Sequence, residues 1–78
     1  MRVEIGELCP SCLRLPFGRT GRTVEEMLNV LYNDKAIHNQ CGGDRGVLSM
    51  LYTVLNDGGN YCQCSRLVLD RLPPSMRR

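Results

Sequence analysis

Two cysteines separated by two residues, Cys9 and Cys12, are the feature that most constrains how this chain of 78 residues folds. Pro10 follows the first cysteine and restricts the backbone between the pair, so that both thiolates can face one metal ion. Such a pair supplies two of the four ligands that a structural zinc ion takes. The other two must come from a distant part of the sequence, and the metal would then tie two parts of the chain together.

Two other groups of metal-ligating side chains occur later in the chain. Cys62 and Cys64 are separated by one residue, and on an extended segment both sulfur atoms would point to the same side. His38 and Cys41 lie at the predicted end of a helix, where partial negative charge disfavours a thiolate. We therefore predict the following zinc ligands, with His38 and Cys41 as the alternative second pair: Cys9, Cys12, Cys62 and Cys64.

The size of the chain also favours a metal-stabilised domain. A domain this small buries about 60% of its unfolded surface and gains little net stability from its core alone. There is no Trp and a single Phe, so large aromatic core residues are scarce. Five cysteines cannot all pair, which favours metal ligation over a disulfide framework. We expect one zinc-binding domain over residues 1–73 and a basic flexible tail over residues 74–78.

The N-terminal segment contains two carboxylates, Glu4 and Glu7, and no apolar run typical of a signal peptide. No apolar stretch is long enough to cross a membrane, so no membrane partner is predicted. We therefore expect an intracellular protein, cytoplasmic or nuclear, whose thiols stay reduced. Its small size alone suggests a viral or mobile-element protein.

Two helices are predicted in the middle of the chain. Thr23 and Glu26 form a capping-box pattern at the start of a helix over residues 24–37. Asp44 can cap a second helix over residues 45–56, which is preferred to a strand hairpin because its apolar residues do not alternate. The predicted apolar faces comprise Val24, Met27, Leu28 and Leu31 in the first helix, and Val47, Leu48, Leu51, Tyr52, Val54 and Leu55 in the second.

Extended structure is predicted on both sides of the first cysteine pair. Val3 and Ile5 alternate with polar residues before the pair, and Leu13, Leu15 and Phe17 alternate with Arg14 and Pro16 after it. This pattern indicates a hairpin that carries the pair at its turn. A hairpin that holds a Cys-x-x-Cys pair resembles one half of a zinc ribbon, a likeness that covers about fifteen residues.

The C-terminal part is predicted to end in a strand. Residues 61–69 favour a short extended segment, with a helix over residues 65–72 as the alternative. The predicted fold class is therefore α+β: a small zinc-stabilised domain with an N-terminal zinc-knuckle hairpin, two helices and a short C-terminal strand.

Arginine supplies nine of the ten basic residues, and its planar group can grip phosphate or carboxylate with two hydrogen bonds. The net charge of +2 does not by itself indicate a polyanionic partner. Two glycines accompany arginines over residues 18–22, which predicts an exposed, mobile loop. The candidate partner-binding residues in and beside this loop are Arg14, Arg19 and Arg22.

The sequence favours a protein that is not an enzyme. Four thiolates leave no open metal position for water, and no other residues form a catalytic constellation. The predicted function is that of a zinc-binding regulator or adaptor that binds a larger protein partner, with a homodimer as a further arrangement. The alternative is a small zinc finger whose arginines contact nucleic-acid phosphates.

Overall fold

The computed structural model describes residues 2–58 and 62–76 and shows a helical domain. The helices are α1 (Pro10–Leu13), α2 (Val24–Asn33), α3 (Lys35–Gln40), α4 (Gly43–Gly58) and α5 (Cys64–Arg71), and short 3-10 turns cover Ile5–Glu7 and Pro74–Met76. The described residues contain no strand, only an isolated antiparallel bridge between Pro16 and Thr23. The predicted α+β class is therefore wrong.

The predicted hairpin around the first cysteine pair is a helical turn instead. Pro10 stands at the start of α1, where its fixed φ suits the helix and its missing N–H would have had no helical acceptor. Cys9 is the N-cap, and Cys12 follows three residues later, a spacing that places both side chains on one side of the first turn. The alternation of apolar and polar residues around Leu15 therefore does not produce a strand, because α1 forms immediately before it.

The beginning of α2 confirms the predicted capping box. The Thr23 hydroxyl accepts a hydrogen bond from the Glu26 N–H at 3.2 Å, and the Glu26 carboxylate accepts one from the Thr23 N–H at 3.4 Å. The predicted helix over residues 24–37 is interrupted at Asp34, which caps α3 by accepting hydrogen bonds from the N–H groups of Ala36 and Ile37. An Asp side chain competes in this way with the continuing helix for backbone donors.

The second predicted helix is confirmed as α4 and extends by two residues at each end. Gly42 lies just before α4 and Gly43 is its first residue. Their left-handed φ angles of 83° and 65° turn the chain from α3 into α4. A Cβ at Gly46 would lie 1.5 Å from the carbonyl oxygen of Cys41. The first turn of α4 therefore packs directly on the end of α3, and only glycine fits there.

The predicted C-terminal strand is also wrong, because this segment forms α5. Cys64, Val68 and Leu72 recur every four residues and are all buried, the pattern of a helix face against a core. The alternative helix over residues 65–72 is within one residue of the observed bounds. Tyr61, where the predicted strand begins, lies outside the described residues.

One hydrophobic core is shared by α1, α2, α4 and α5. Phe17, the single phenylalanine, is fully buried in it. The predicted helix faces are confirmed at eight buried positions: Val24, Met27, Leu28, Leu31, Val47, Leu48, Leu51 and Leu55. In the described part of the chain, no helix has the length and apolar character needed to cross a membrane.

The predicted division into a domain over residues 1–73 and a tail over residues 74–78 stays a prediction. Pro74–Met76 forms a 3-10 turn, which covers the first part of the predicted tail. Arg77 and Arg78, its two basic residues, lie outside the described residues.

Candidate metal centre

Four cysteines from the two ends of the chain meet in one cluster. Cys9 and Cys12 come from the start of α1, Cys62 precedes α5, and Cys64 is the first residue of α5. Their sulfur atoms all lie within 4.8 Å of one another. The four cysteines are therefore positioned to bind a metal ion.

The spacing of the sulfur atoms suits a single tetrahedral ion. With metal–sulfur bonds of about 2.3 Å, the sulfurs of such a site lie about 3.8 Å apart. The separation of 2.6 Å between the sulfurs of Cys12 and Cys62 and the upper limit of 4.8 Å for the whole cluster lie on either side of this value.

The cluster combines buried and partly exposed ligands that are tied by backbone hydrogen bonds. Cys12 and Cys64 are 1% and 6% exposed, whereas Cys9 and Cys62 are half-buried. The Cys9 N–H donates to the Cys64 sulfur at 3.2 Å, and the Cys12 N–H donates to the Cys9 sulfur. Such bonds stabilise negative charge on sulfur and orient the ligands.

The pKa values of the thiols show why this cluster favours a cation. The hydrogen bond from the Cys12 N–H lowers the pKa of Cys9 from 9.0 to about 7. Burial raises the pKa of Cys12 and of Cys64, and the neighbouring thiols raise that of Cys12 further. Four thiolates held this close repel one another, so complete deprotonation requires positive charge at the centre. A divalent ion supplies that charge and would release protons on binding.

The helix ends distinguish Cys64 from Cys41 electrostatically. Cys64 lies at the N-terminus of α5, where partial positive charge favours a thiolate. Cys41 is the C-cap of α3, at the end with partial negative charge, as the sequence predicted. The expected strand geometry of Cys62 and Cys64 is nevertheless wrong, because a turn into a helix brings their sulfurs together.

His38 and Cys41, the alternative second pair, stand apart from the cluster. The His38 Nε2 atom is 3.2 Å from the Asp44 Oδ1 atom, and the centre of its ring is 5.6 Å from that of Tyr32. These contacts join α3 to α4 and α2. Among the described residues, neither His38 nor Cys41 belongs to a group of three or more potential metal ligands.

An ion pair between Glu7 and Arg71 joins the two chain segments that carry the cysteines, and the sequence did not predict it. The Arg71 guanidinium donates to both carboxylate oxygens of Glu7, with a distance of 2.6 Å from Nη1 to Oε2. It also donates to the Arg2 carbonyl at 3.4 Å. The pair spans 64 positions, and no local pattern marks it. It ties the segment before α1 to the end of α5.

This ion pair predicts a contribution to stability that acid removes. Hydrogen bonding from Arg71 lowers the pKa of Glu7 from 4.5 to about 2. A carboxylate with a lowered pKa stabilises the folded state above its ordinary pKa, and this effect is lost as the pH falls from about 4.5 towards 2. We expect Glu7→Gln to lower the melting temperature at pH 7, and the difference from the unmodified chain to shrink below pH 4.5. Calorimetry of both proteins at matched metal content measures this difference.

Asp57→Asn is a suitable control for that experiment. It removes an exposed carboxylate that has no ion-pair partner in the described part of the chain. Its melting temperature should not fall at pH 7. A Glu7→Gln difference that stays constant from pH 7 to pH 3 would contradict the assigned role of the pair.

The three candidate partner-binding arginines lie in and beside the connection between α1 and α2. Arg14, Arg19 and Arg22 are exposed, and none has a carboxylate partner within the described residues. Other arginines are neutralised by carboxylates in three ion pairs: Arg2 with Glu4, Arg66 with Asp70, and Arg71 with Glu7. Three of the exposed cations without an ion-pair partner in the described part of the chain therefore lie before α2.

The four clustered cysteines form a Cys-x-x-Cys pair and a Cys-x-Cys pair, and Cys12 and Cys62 are 50 positions apart. Closing a loop of this length through a metal would restrict the unfolded chain.

No protein-family model, curated protein or solved structure matches this chain. The site is therefore assigned from its own geometry.

Proposed function

We propose that this chain is a regulator or adaptor without enzymatic activity, held by one structural zinc ion, that binds a larger protein partner. The observation that carries the zinc assignment is the convergence of four cysteine sulfurs within 4.8 Å. Four thiolates complete a tetrahedral shell and leave no position for water or substrate. This donor set supports a structural role for the metal and gives no support to catalysis.

Zinc is the metal that the spacing and chemistry of the donors favour. Tetrahedral sites of four thiolates hold zinc or iron. An iron–sulfur cluster also needs room for inorganic sulfide between its iron ions, and four sulfurs within 4.8 Å of one another support a single ion instead. The proposal places the chain in a reducing compartment, cytoplasmic or nuclear, where the thiolates remain available.

Exposed apolar side chains on α4 support a protein partner. Met50 is 40% exposed, and Tyr52 and Val54 are half-buried on a helix whose opposite face already contributes to the core. Apolar and arginine side chains are both enriched at protein interfaces. The same side chains are available for contact between two copies of the chain, so a homodimer is part of this proposal.

Nucleic-acid binding is a second candidate, favoured by the unpaired Arg14, Arg19 and Arg22. Arginines of this kind contact phosphates and give binding that weakens steeply with salt. However, Phe17 is the aromatic residue of the segment that carries these arginines and is fully buried, so it offers no base-stacking surface. The net charge of +2 is also small for a phosphate binder.

Native mass spectrometry tests the metal and the oligomeric state together. We expect one zinc ion per chain, because a tetrahedral site uses all four cysteines of the cluster. Substitution by Co²⁺ should produce the visible absorption of a tetrahedral thiolate site. One iron per chain would show that the metal was assigned wrongly, and a folded chain without metal would refute the structural role.

A further inference from the structure

We propose that Cys12 and Cys62 form a redox-modification site, at which a peroxide oxidises the two thiolates to a disulfide and the bound metal is released. The release of metal rests on the proposed structural zinc, whereas the disulfide rests on the positions of the two cysteines. Oxidation would thus give the proposed regulator a second state, in which a covalent bond replaces the metal.

The sulfur atoms of Cys12 and Cys62 lie close together although they come from opposite ends of the chain. Their separation is 2.6 Å. Two sulfurs of a tetrahedral zinc site lie about 3.8 Å apart, and a disulfide bond is about 2.05 Å long. The observed separation is shorter than the first of these distances and approaches the second. The two sulfurs are therefore close enough to react with each other.

An open hollow beside the cluster gives a small oxidant access to Cys62. The hollow has a volume of about 390 Å³, and three of the clustered cysteines line it: Cys9, Cys62 and Cys64. A water molecule takes up about 30 Å³ in the liquid, and hydrogen peroxide is only slightly larger, so it can enter. Cys62 is half-buried and is the accessible member of the proposed pair.

Cys12 differs from Cys62 in its exposure, and this difference assigns the two cysteines separate roles. Cys12 is 1% exposed and lies in the hydrophobic core. Redox-sensitive cysteines are accessible thiolates that often have a second, resolving cysteine beside them. Cys62 therefore reacts first with the peroxide, and Cys12 completes the disulfide before a second molecule of oxidant reaches the sulfur of Cys62.

The peroxide supplies everything that the reaction requires. The Cys62 thiolate attacks one oxygen of hydrogen peroxide, the O–O bond breaks, hydroxide leaves, and Cys62 becomes a sulfenic acid. The Cys12 thiolate then attacks that sulfur, the S–O bond breaks, a second hydroxide leaves, and the S–S bond forms. The two thiolates lose two electrons, the peroxide gains them, and the hydroxides take protons from the solvent to form water.

The disulfide would preserve the connection that the metal provides. Cys9 and Cys64 alone cannot hold a structural zinc ion, which takes four protein ligands, so zinc would leave. The new bond would still join α1 to the segment before α5 across 50 positions and restrict the unfolded chain. Reduction by a dithiol would restore both thiolates, so the modification suits a compartment in which thiols are kept reduced.

Peptide mapping of the purified chain tests the pairing. One equivalent of hydrogen peroxide is added, the remaining thiols are alkylated, and trypsin cleaves after Arg and Lys. The first cysteine pair then lies in the peptide of residues 3–14 and the second in that of residues 46–66. We expect these two peptides to be joined, with fragmentation placing the bond between Cys12 and Cys62. A bond within either peptide, a different pair of joined cysteines, or no disulfide would overturn the proposal.

Cys41 provides a control within the same digest. It is half-buried, as Cys62 is, but it lies outside the cluster and in the tryptic peptide of residues 36–45. It is the C-cap of α3, where partial negative charge disfavours the reactive thiolate. Cys41 should therefore be recovered as the alkylated thiol. Oxidation of Cys41 to the same extent would mean that exposure alone governs the reaction, and would reject a dedicated site.

Metal release and helical content are measured on the same oxidised sample. A zinc-chelating dye should report one zinc ion released per disulfide formed. The oxidised chain should retain its helical circular dichroism after the metal has been removed, because the disulfide still restricts the unfolded chain. Zinc that stays bound to the disulfide-linked chain, or helical content lost on oxidation, would contradict the exchange of metal for disulfide.

The zinc content of the purified chain separates failure of the redox site from failure of the structural metal. A chain that carries one zinc ion and forms no bond between Cys12 and Cys62 refutes the redox site alone. A folded chain without zinc refutes the structural metal, and the peptide map still decides whether the two cysteines pair.

Discussion

Replacement of Cys64 by serine should abolish metal binding and unfold the domain. Cys64 is 6% exposed and its sulfur accepts a hydrogen bond from the Cys9 N–H. A metal held by the four cysteines would join α5 to the start of the chain through this residue. Structural zinc in small domains contributes about 10 to 16 kcal/mol of apparent binding free energy, comparable with or larger than the entire net stability of such a domain. Zinc content and far-ultraviolet circular dichroism should both fall to the values of the unfolded chain.

Cys41→Ser is the matched control for this experiment. Cys41 is half-buried at the C-cap of α3 and is not a member of the four-cysteine cluster. This variant should retain one zinc ion per chain and its helical content. Loss of zinc from Cys41→Ser with retention in Cys64→Ser would reverse the ligand assignment.

Replacement of Gly46 by alanine should strongly destabilise the domain. The added Cβ would lie 1.5 Å from the Cys41 carbonyl oxygen and 2.6 Å from its carbonyl carbon, which are backbone atoms that cannot rotate away. Overpacking typically costs about 1 to 3 kcal/mol, and a collision with backbone should exceed about 2 kcal/mol because α3 and α4 must separate. Urea unfolding in saturating zinc measures this loss.

Gly6→Ala serves as the control for Gly46→Ala. A Cβ at Gly6 has no atom within 4 Å, and Gly6 is not among the glycines with positive φ. Its unfolding midpoint should change little. Equal midpoints for Gly46→Ala and Gly6→Ala would show that α3 and α4 do not make this contact.

Several features of the domain could be predicted because their causes are local. The polar and apolar spacing in α2 follows the helical period, and Thr23 and Glu26 lie close enough in sequence to cap it. Gly42 and Gly43 turn the chain because glycine alone adopts left-handed φ without steric cost. The four cysteines can be predicted as one ligand set because four thiolates suit a structural zinc ion, whatever fold connects them.

The predicted strands were wrong because short alternation is a weak signal. At the first cysteine pair, Pro10 suits a turn as well as the first position of a helix, and in the structure it begins α1. In α5, Cys64 belongs both to the cysteine cluster and to the buried series that continues with Val68 and Leu72. Because a cysteine packs like a small apolar residue, these three positions follow the period of a helix.

The sequence by itself determined which side chains were available to hold a metal, where α2 begins and where α4 forms, since periodicity and capping act within one or two turns. Only the tertiary structure decided that α3 ends against Gly46 and that Arg71 pairs with Glu7, because these contacts depend on how separate elements pack. It also decided the helical setting of the cysteines. Helices α1 and α5 each bury one cysteine of the cluster in the shared core. Packing against this core stabilises a helix, whereas a short strand without a partner strand would leave its backbone hydrogen bonds unmade.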